Sequence, residues 1–377
     1  MTSGSVLQYS TPPIHTWSDC DPQLAPKQGF LIEKLIPEKG GNLLIAAPKA
    51  GKSQLAAHLT ACLVTGKPVF GHYQVHATEA IPRILAILTE ENRFRFRERV
   101  EANLRGLGLT DKEIEELNTK LDDIIVVSAR TRDSSLPVSD MVFSIERHAD
   151  WVLDQLQAGT IDLVILDSLR PAHSLEENSS TEMKPVTDFI RQIAEHGCGL
   201  ILHHTGHRDP DSRRFGGDAG RGTSDLDAAR DTAIEIQSGR FGGNMSIGFF
   251  HRNDPEFWVA VRTEIEDDGR VVRWIRLDAT EDPKRATYLL GEATLFQLID
   301  AAAQPKELPK LSDCKRLLGN GYRITVGNLE LEGLIESRAL QTGRPGSPPT
   351  YLMRPGQFSD SEWEAAAGTA GGRRGAR

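Results

Sequence analysis

The chain has 377 residues, of which 39% are hydrophobic and 26% charged, and its formal net charge is −9. That length fits two or three domains with ample material for a core. The apolar runs are strand-sized and far short of the ~20 residues a membrane span needs, and the acidic balance argues against a protein that coats DNA through a general positive field.

Residues 1–28 are polar and proline-bearing and read as an N-terminal arm; Met1 to Pro12 has no apolar stretch of the kind a signal peptide carries. The cysteines Cys20, Cys62, Cys198 and Cys314 are scattered without CxxC spacing, as expected of reduced thiols in a cytoplasmic protein. A first domain is expected over residues 29–280. Its strand candidates are Asn42–Ala46, Arg83–Leu88, Ile124–Ser128, Leu163–Leu166 and Gly199–Leu202. Helix candidates alternate with them: Ser53–Val64, Arg93–Gly106, Thr110–Leu121, Val142–Gln157 and Met183–His196. Alternation of helices with fully apolar strands predicts an α/β fold with a parallel sheet covered on both faces. After Ala229 the segments Thr232–Ile236, Asn244–His251, Trp258–Thr263 and Val271–Leu277 predict an antiparallel meander that extends the sheet. Glu281–Lys284 reads as a linker. Residues 286–355 then run helix (Thr294–Ala303), helix (Ser312–Leu318), helix (Thr325–Glu332) and two strands (Leu334–Gln341, Thr350–Met353), the order of a winged helix-turn-helix. Residues 356–377 are expected to be a flexible tail, low in complexity from Gly368.

The segment Ala46-Ala47-Pro48-Lys49-Ala50-Gly51-Lys52-Ser53 follows the first strand and opens a helix. That is the setting of a P-loop, in which the segment from Ala47 through Gln54 wraps nucleotide phosphates with the backbone N–H groups of its residues other than Pro48. Gly51 permits close approach, Lys52 reaches the β- and γ-phosphates, and the Ser53 hydroxyl is suited to Mg²⁺. Ala46 stands where the usual pattern has its first glycine. Asp167 ends an apolar strand and reads as the Walker B acid, a second Mg²⁺ group. Glu90 and Glu91 close another strand, and one of them is placed to activate water. His203 and His204 close a third, where a polar side chain can sense the γ-phosphate. Zinc is set aside there, since no acid or cysteine completes a site. The glycine-rich stretch from Arg208 to Thr223 carries Arg213, Arg214 and Arg221, suited to a nucleic-acid backbone or, for Arg221, to a neighbouring subunit's nucleotide.

Taken together, the P-loop segment, the run Leu166-Asp167-Ser168-Leu169-Arg170-Pro171-Ala172-His173-Ser174-Leu175-Glu176-Glu177-Asn178, the run His203 to His207 and the run Gly220 to Leu226 resemble the RepA-type hexameric replicative helicases within the RecA/DnaB-like ATPases. The resemblance spans roughly Phe30 to Gln237. It implies a RecA-like core, ATP with Mg²⁺, and single-stranded DNA as partner. It also implies a homo-oligomeric, hexameric ring, Glu91 as catalytic base, His204 as phosphate sensor and Arg221 as a finger acting in trans. The winged helix is not a general part of that family. It offers a site for origin DNA, a duplex edge or a replication or regulatory protein. The expected function is an ATP-driven motor on DNA, with an ATP-switched regulator or a protein-interaction ATPase as the alternatives.

Overall fold

The computed structural model of the chain describes residues 29–76, 82–121, 124–128, 143–204, 224–238, 244–252, 255–280, 294–318, 322, 326, 329–330, 334–339 and 348–368. The N-terminal arm, the linker at 281–284 and the arginines from Arg208 to Arg221 lie outside the described residues. Phe30–Ile32 (β1) and Ile36–Pro37 (β2) form a small antiparallel ribbon.

The body is a nine-stranded sheet. Its parallel part comprises β3 (Gly40–Ala46), β4 (Ile84–Leu88), β5 (Ile124–Ser128), β6 (Leu163–Asp167), β7 (Cys198–His204) and β8 (Thr232–Ser238). β3 lies between β7 and β8, β6 between β7 and β4, and β5 forms an edge beyond β4. The chain then folds back through β9 (Asn244–His251), β10 (Phe257–Glu266) and β11 (Val271–Thr280), each antiparallel to its predecessor. The expected α/β class, with a mostly parallel sheet extended by an antiparallel meander, is therefore the observed one.

Helices α1 (Lys52–Thr65) and α2 (Arg93–Gly106) pack on one face of the sheet, where Leu44, Ala46, Leu88 and Leu202 point into the core. Helix α3 (Asp111–Leu121) follows on that side, its Ile114 joining the same core. Helices α4 (Ile145–Gln157) and α5 (Ser180–His196) cover the other face against Leu43, Ile45, Leu166 and Ile201, and α6 (Ser224–Ala229) adds Leu226 and Ala229 there. With both faces covered, every residue of β3, β4 and β6 is buried, which is why these strands read as predominantly apolar runs, with Asn42 satisfied inside β3 by the Gly199 carbonyl at 2.8 Å. Local chemistry sets the helix starts: Asn92 Oδ1 accepts the Arg95 N–H at 2.9 Å, an N-cap for α2. The meander is tied to α2 through Trp274, whose indole N–H donates to Asn103 Oδ1 at 2.9 Å and whose ring stacks on His58 with centroids 5.1 Å apart.

The C-terminal part has its own core of Leu295, Ile299, Leu308, Cys314, Tyr351, Leu352 and neighbours. Residues 294–300 form α7, Leu311–Leu318 form α8, and Tyr322, Val326, Leu329 and Glu330 are helical. β12 (Glu336–Ala339) pairs antiparallel with β13 (Thr350–Met353). The expectation of a flexible tail from residue 356 needs correction. Asp360–Gly368 is a helix, α9. Its Trp363 is buried among Tyr351 and the core, with its indole N–H donating to Ala339 O at 3.3 Å.

Candidate active site

The predicted site residues lie at the carboxyl ends of the parallel strands, the edge where open α/β sheets bind ligands. Strand order brings them together. Ala46, the last residue of β3, is in register with His204 of β7, and Leu88 of β4 with Asp167 of β6. The P-loop turns out of β3 with Lys49 and Gly51 at positive φ (64° and 99°); Gly51 is the left-handed residue immediately before α1, a conformation that suits glycine. Ala46 fits at the first-glycine position because its side chain is buried in the core while its carbonyl faces the loop and accepts from Lys52 Nζ at 2.9 Å.

Lys52 Nζ also donates to Ala47 O at 3.2 Å and lies 3.1 Å from His204 Nδ1. His204 Nε2 in turn lies 3.4 Å from Glu90 Oε1. The same Glu90 oxygen accepts the Ser168 hydroxyl at 2.6 Å. Ser168 is held by Thr89, whose Oγ1 accepts the Ser168 N–H at 2.7 Å and donates to Ser168 O at 2.8 Å. The peptide between Asp167 and Ser168 is cis. Behind these groups the Ser53 hydroxyl bonds the Asp167 carboxylate. Two hard oxygen donors side by side fit an Mg²⁺ ion, which prefers oxygen ligands and keeps several waters.

The electrostatics follow from burial. Burial lowers the Lys52 pKa, against the pull of the Asp167 and Glu90 charges. Burial raises Asp167, opposed by the Ser53 hydrogen bond and reinforced by Glu90. Glu90 ends below the usual carboxylate range: burial pushes it up, but the Ser168 and His204 hydrogen bonds and the His204 and Lys52 charges outweigh that. Glu91 ends above its usual range, because burial exceeds the stabilising charge of Arg99.

From the sequence Glu91 is the expected base, yet the geometry parts the two carboxylates differently. Glu91 Oε2 is 3.1 Å from Arg99 Nη2, and its carbonyl accepts from Ser128 Oγ at 3.1 Å. Glu90 is the one joined to His204 beside Lys52. Ser168, Thr89 and Arg99 belong to this constellation and were not foreseen. Ser168 directly follows the Walker B acid, a signal that was there to use; Arg99 had only its place in an arginine-rich helix. Arg221 lies outside the described residues. No group of three or more His, Cys, Asp or Glu suited to a metal occurs among the described residues. In the C-terminal unit two arginines are engaged within the chain: Arg338 pairs with Asp360 at 2.7 Å and lies over Trp363, and Arg354 forks onto Asp300 at 2.9 and 3.1 Å.

A lysine-bearing loop between a buried strand and a helix, facing an acid at the end of a nearby parallel strand, defines a P-loop nucleoside triphosphatase. The AAA domain family model matches residues 10–210, more than half of the chain, and the chain belongs to that family, AAA_25. Among solved structures, the ATPase domain of G40P is similar at 10% identity with a TM-score of 0.43, covering 64% of this chain and 85% of that one. No curated protein matches. Among the described residues no helix is long and apolar enough to cross a membrane.

Proposed function

We propose that this chain hydrolyses ATP with Mg²⁺ and uses the cycle to move on or remodel DNA as a cytoplasmic, ring-forming, helicase-like motor. The observation that carries the reading is the bridge made by His204 between Lys52 and Glu90 at the mouth of the P-loop. That chain of contacts supports reading Lys52 as the cation for the γ-phosphate, Glu90 as the carboxylate for water and His204 as the polar sensor. Backbone N–H groups of the segment Ala47 to Gln54, other than at Pro48, and the Lys52 ammonium would hold the phosphates; Ser53 and Asp167 would hold Mg²⁺, which would neutralise charge on the transferred phosphoryl group. Glu90 rather than Glu91 is assigned as the base, because geometry takes precedence over pKa in choosing one. With its pKa held low, Glu90 is ionised at neutral pH and ready to orient a water. Glu91 is engaged by Arg99.

Arg221 is proposed as the finger supplied to a neighbouring subunit in a hexamer, and Arg213 and Arg214 as contacts to single-stranded DNA. The C-terminal unit is proposed to be a winged helix. Since Arg338 and Arg354 serve internal pairs, its better-supported role is docking a replication or regulatory protein rather than gripping phosphate. Phosphate release with and without single-stranded DNA, run beside strand displacement, tests the motor. The wild-type chain should show DNA-stimulated hydrolysis and unwinding, and Lys52→Ala neither. Hydrolysis without DNA stimulation or displacement would favour an ATP-switched regulator or a protein-interaction ATPase. Mixing Lys52→Ala with Arg221→Ala should restore activity if the finger works in trans.

A further inference from the structure

β9 begins at the edge of the sheet where the P-loop lies: Met245 is in register with Ser238, the last residue of β8, and with Val261 of β10. A strand turns successive side chains to opposite faces. Met245 points to the α1 face, where it is buried in the core that also takes Ala50 and Leu55. Its Cε lies 3.6 Å from the position a Cβ on Gly51 would occupy. Gly51 is the left-handed residue immediately before Lys52, so the methionine packs beside the turn that sets the lysine.

Asn244, one residue earlier, is 2% exposed and turns to the other face. Its Nδ2 donates to Thr294 Oγ1 and to Gln297 Oε1, both at 3.2 Å. A side-chain amide has two N–H donors, so both acceptors are served at once. Thr294 and Gln297 stand three residues apart on α7 and share a face. Leu295 and Ile299 of the same helix enter the C-terminal core. α7 is also bonded to the rest of that unit: Gln357 Nε2 donates to the Ile299 carbonyl at 2.7 Å, and Arg354 forks onto Asp300. A shift of α7 is therefore a shift of the unit. The two units have separate apolar cores, and β12 and β13 form a sheet of their own. Neutral hydrogen bonds thus join α7 to β9, and such bonds are modest enough in net strength to break and remake.

We infer that the start of β9 is a joint between the P-loop and the C-terminal unit. The seated α7 holds Asn244, and through it Met245 beside Gly51, in the arrangement that receives phosphate. Nucleotide at the P-loop and the seating of α7 therefore favour each other, and linkage makes the coupling equal in both directions. A partner that lifts α7 from Asn244 loosens the nucleotide. The inference rests on reading the P-loop as the nucleotide site.

The test uses the full chain with Mg²⁺ and a non-hydrolysable ATP analogue, adenylyl imidodiphosphate. Equilibrium dialysis measures its affinity, and amide hydrogen exchange is followed in α7, β12 and β13 with and without it. In the wild type the analogue should slow exchange in α7 by about 5-fold, the low end of typical couplings between sites. Asn244→Ala should weaken analogue binding by about the same 5-fold and abolish the slowing. Gln297→Ala changes an exposed residue on α7, away from β9, and should weaken binding about 3-fold as part of the same coupling. In an Asn244→Ala background it should add less than about 1.5-fold, because the two residues act through one contact. A purely structural Asn244 predicts faster exchange in α7 with and without the analogue, at unchanged affinity. That result, or additive losses in the double variant, overturns the joint and leaves the nucleotide site standing. Failure of the wild type to bind the analogue overturns both. Should Asn244→Ala fail to fold, Gln297→Ala decides alone: lower affinity together with reduced slowing in α7 supports the joint, and unchanged affinity overturns it.

Discussion

Glu90 and Glu91 are neighbours in sequence with the same chemistry, so exchanging each for glutamine is the sharpest probe of the proposed site. Glu90→Gln keeps the size of the side chain and an oxygen able to accept from Ser168, now 2.6 Å away. It removes the charge beside Lys52 and any capacity to take a proton. General-base loss typically costs 10²–10⁴ in rate, so kcat should fall at least about 100-fold, or roughly 2.7 kcal/mol in the barrier. ATP binding should survive, since the phosphate cradle is untouched. Glu91→Gln removes the partner of Arg99, a pair whose side chains are 29% and 15% exposed for Arg99 and Glu91. That partial shielding makes a stability cost of about 1 kcal/mol reasonable. The change in kcat should stay within about 5-fold, because the group braces a neighbour and is not assigned to proton transfer. The assay is phosphate release at saturating ATP, with urea melts on both variants. A larger rate loss at Glu91 than at Glu90, with both variants folded, would refute the assignment and restore the choice expected from the sequence.

Three further outcomes follow from the packing. His58, stacked between Phe70 and Trp274, has its pKa pushed down to about 3 by burial. The unfolded imidazole protonates near 6.5, so between those values the unfolded state binds the extra proton; stability is complete above 6.5 and is lost as pH falls. Between pH 7 and 5 the wild type should lose about 2 kcal/mol more than His58→Gln, measured by urea unfolding at each pH, and parallel curves would contradict this. A Cβ at Gly106 would sit 1.8 Å from the Val272 carbonyl oxygen, a backbone atom. Gly106→Ala should therefore destabilise the ATPase domain by about 2–3 kcal/mol, and an unchanged melt would show that α2 does not press on β11. Trp363→Ala empties a buried site in the C-terminal core, and a loss of about 3–5 kcal/mol is comparable to what so small a unit can hold. Hydrogen exchange should rise across β12, β13 and α9 while β3 to β7 stay protected; protection unchanged across β12 and β13 would mean that α9 is dispensable there.

The inner strands β4 and β6 were legible because they are buried throughout and apolar up to the closing Asp167, and the helices because longer stretches alternate with such strands. The P-loop was legible because its chemistry is contiguous. The choice between Glu90 and Glu91 was not. It depends on Ser168, 78 residues away, and His204, 114 residues away, which strand order alone brings to Glu90. β4 is the next strand in the chain after β3, yet in the sheet it lies beyond both β7 and β6. No local pattern reports that displacement.

Helix α9 shows the opposite case, a signal present and outweighed. Ser359 and Glu362 have the spacing of a capping box, and the structure forms it: the Glu362 N–H donates to Ser359 Oγ at 3.3 Å, and the Ser359 N–H to Glu362 Oε2 at 2.7 Å. The glycine- and alanine-rich composition beyond it favours disorder only if nothing nearby offers an apolar surface. Trp363 finds one on Tyr351, and Arg338 crosses from β12 to join Asp360 and the indole ring. The same contact reverses the meaning of Arg338. Counted by composition it is one more cation available to phosphate; in three dimensions its charge is answered within the chain by Asp360. Arg354 is answered likewise by Asp300. Local runs of arginine therefore report available charge only after their carboxylate partners are known. That shifts the weight of any DNA contact in this protein from the C-terminal unit toward the ATPase domain.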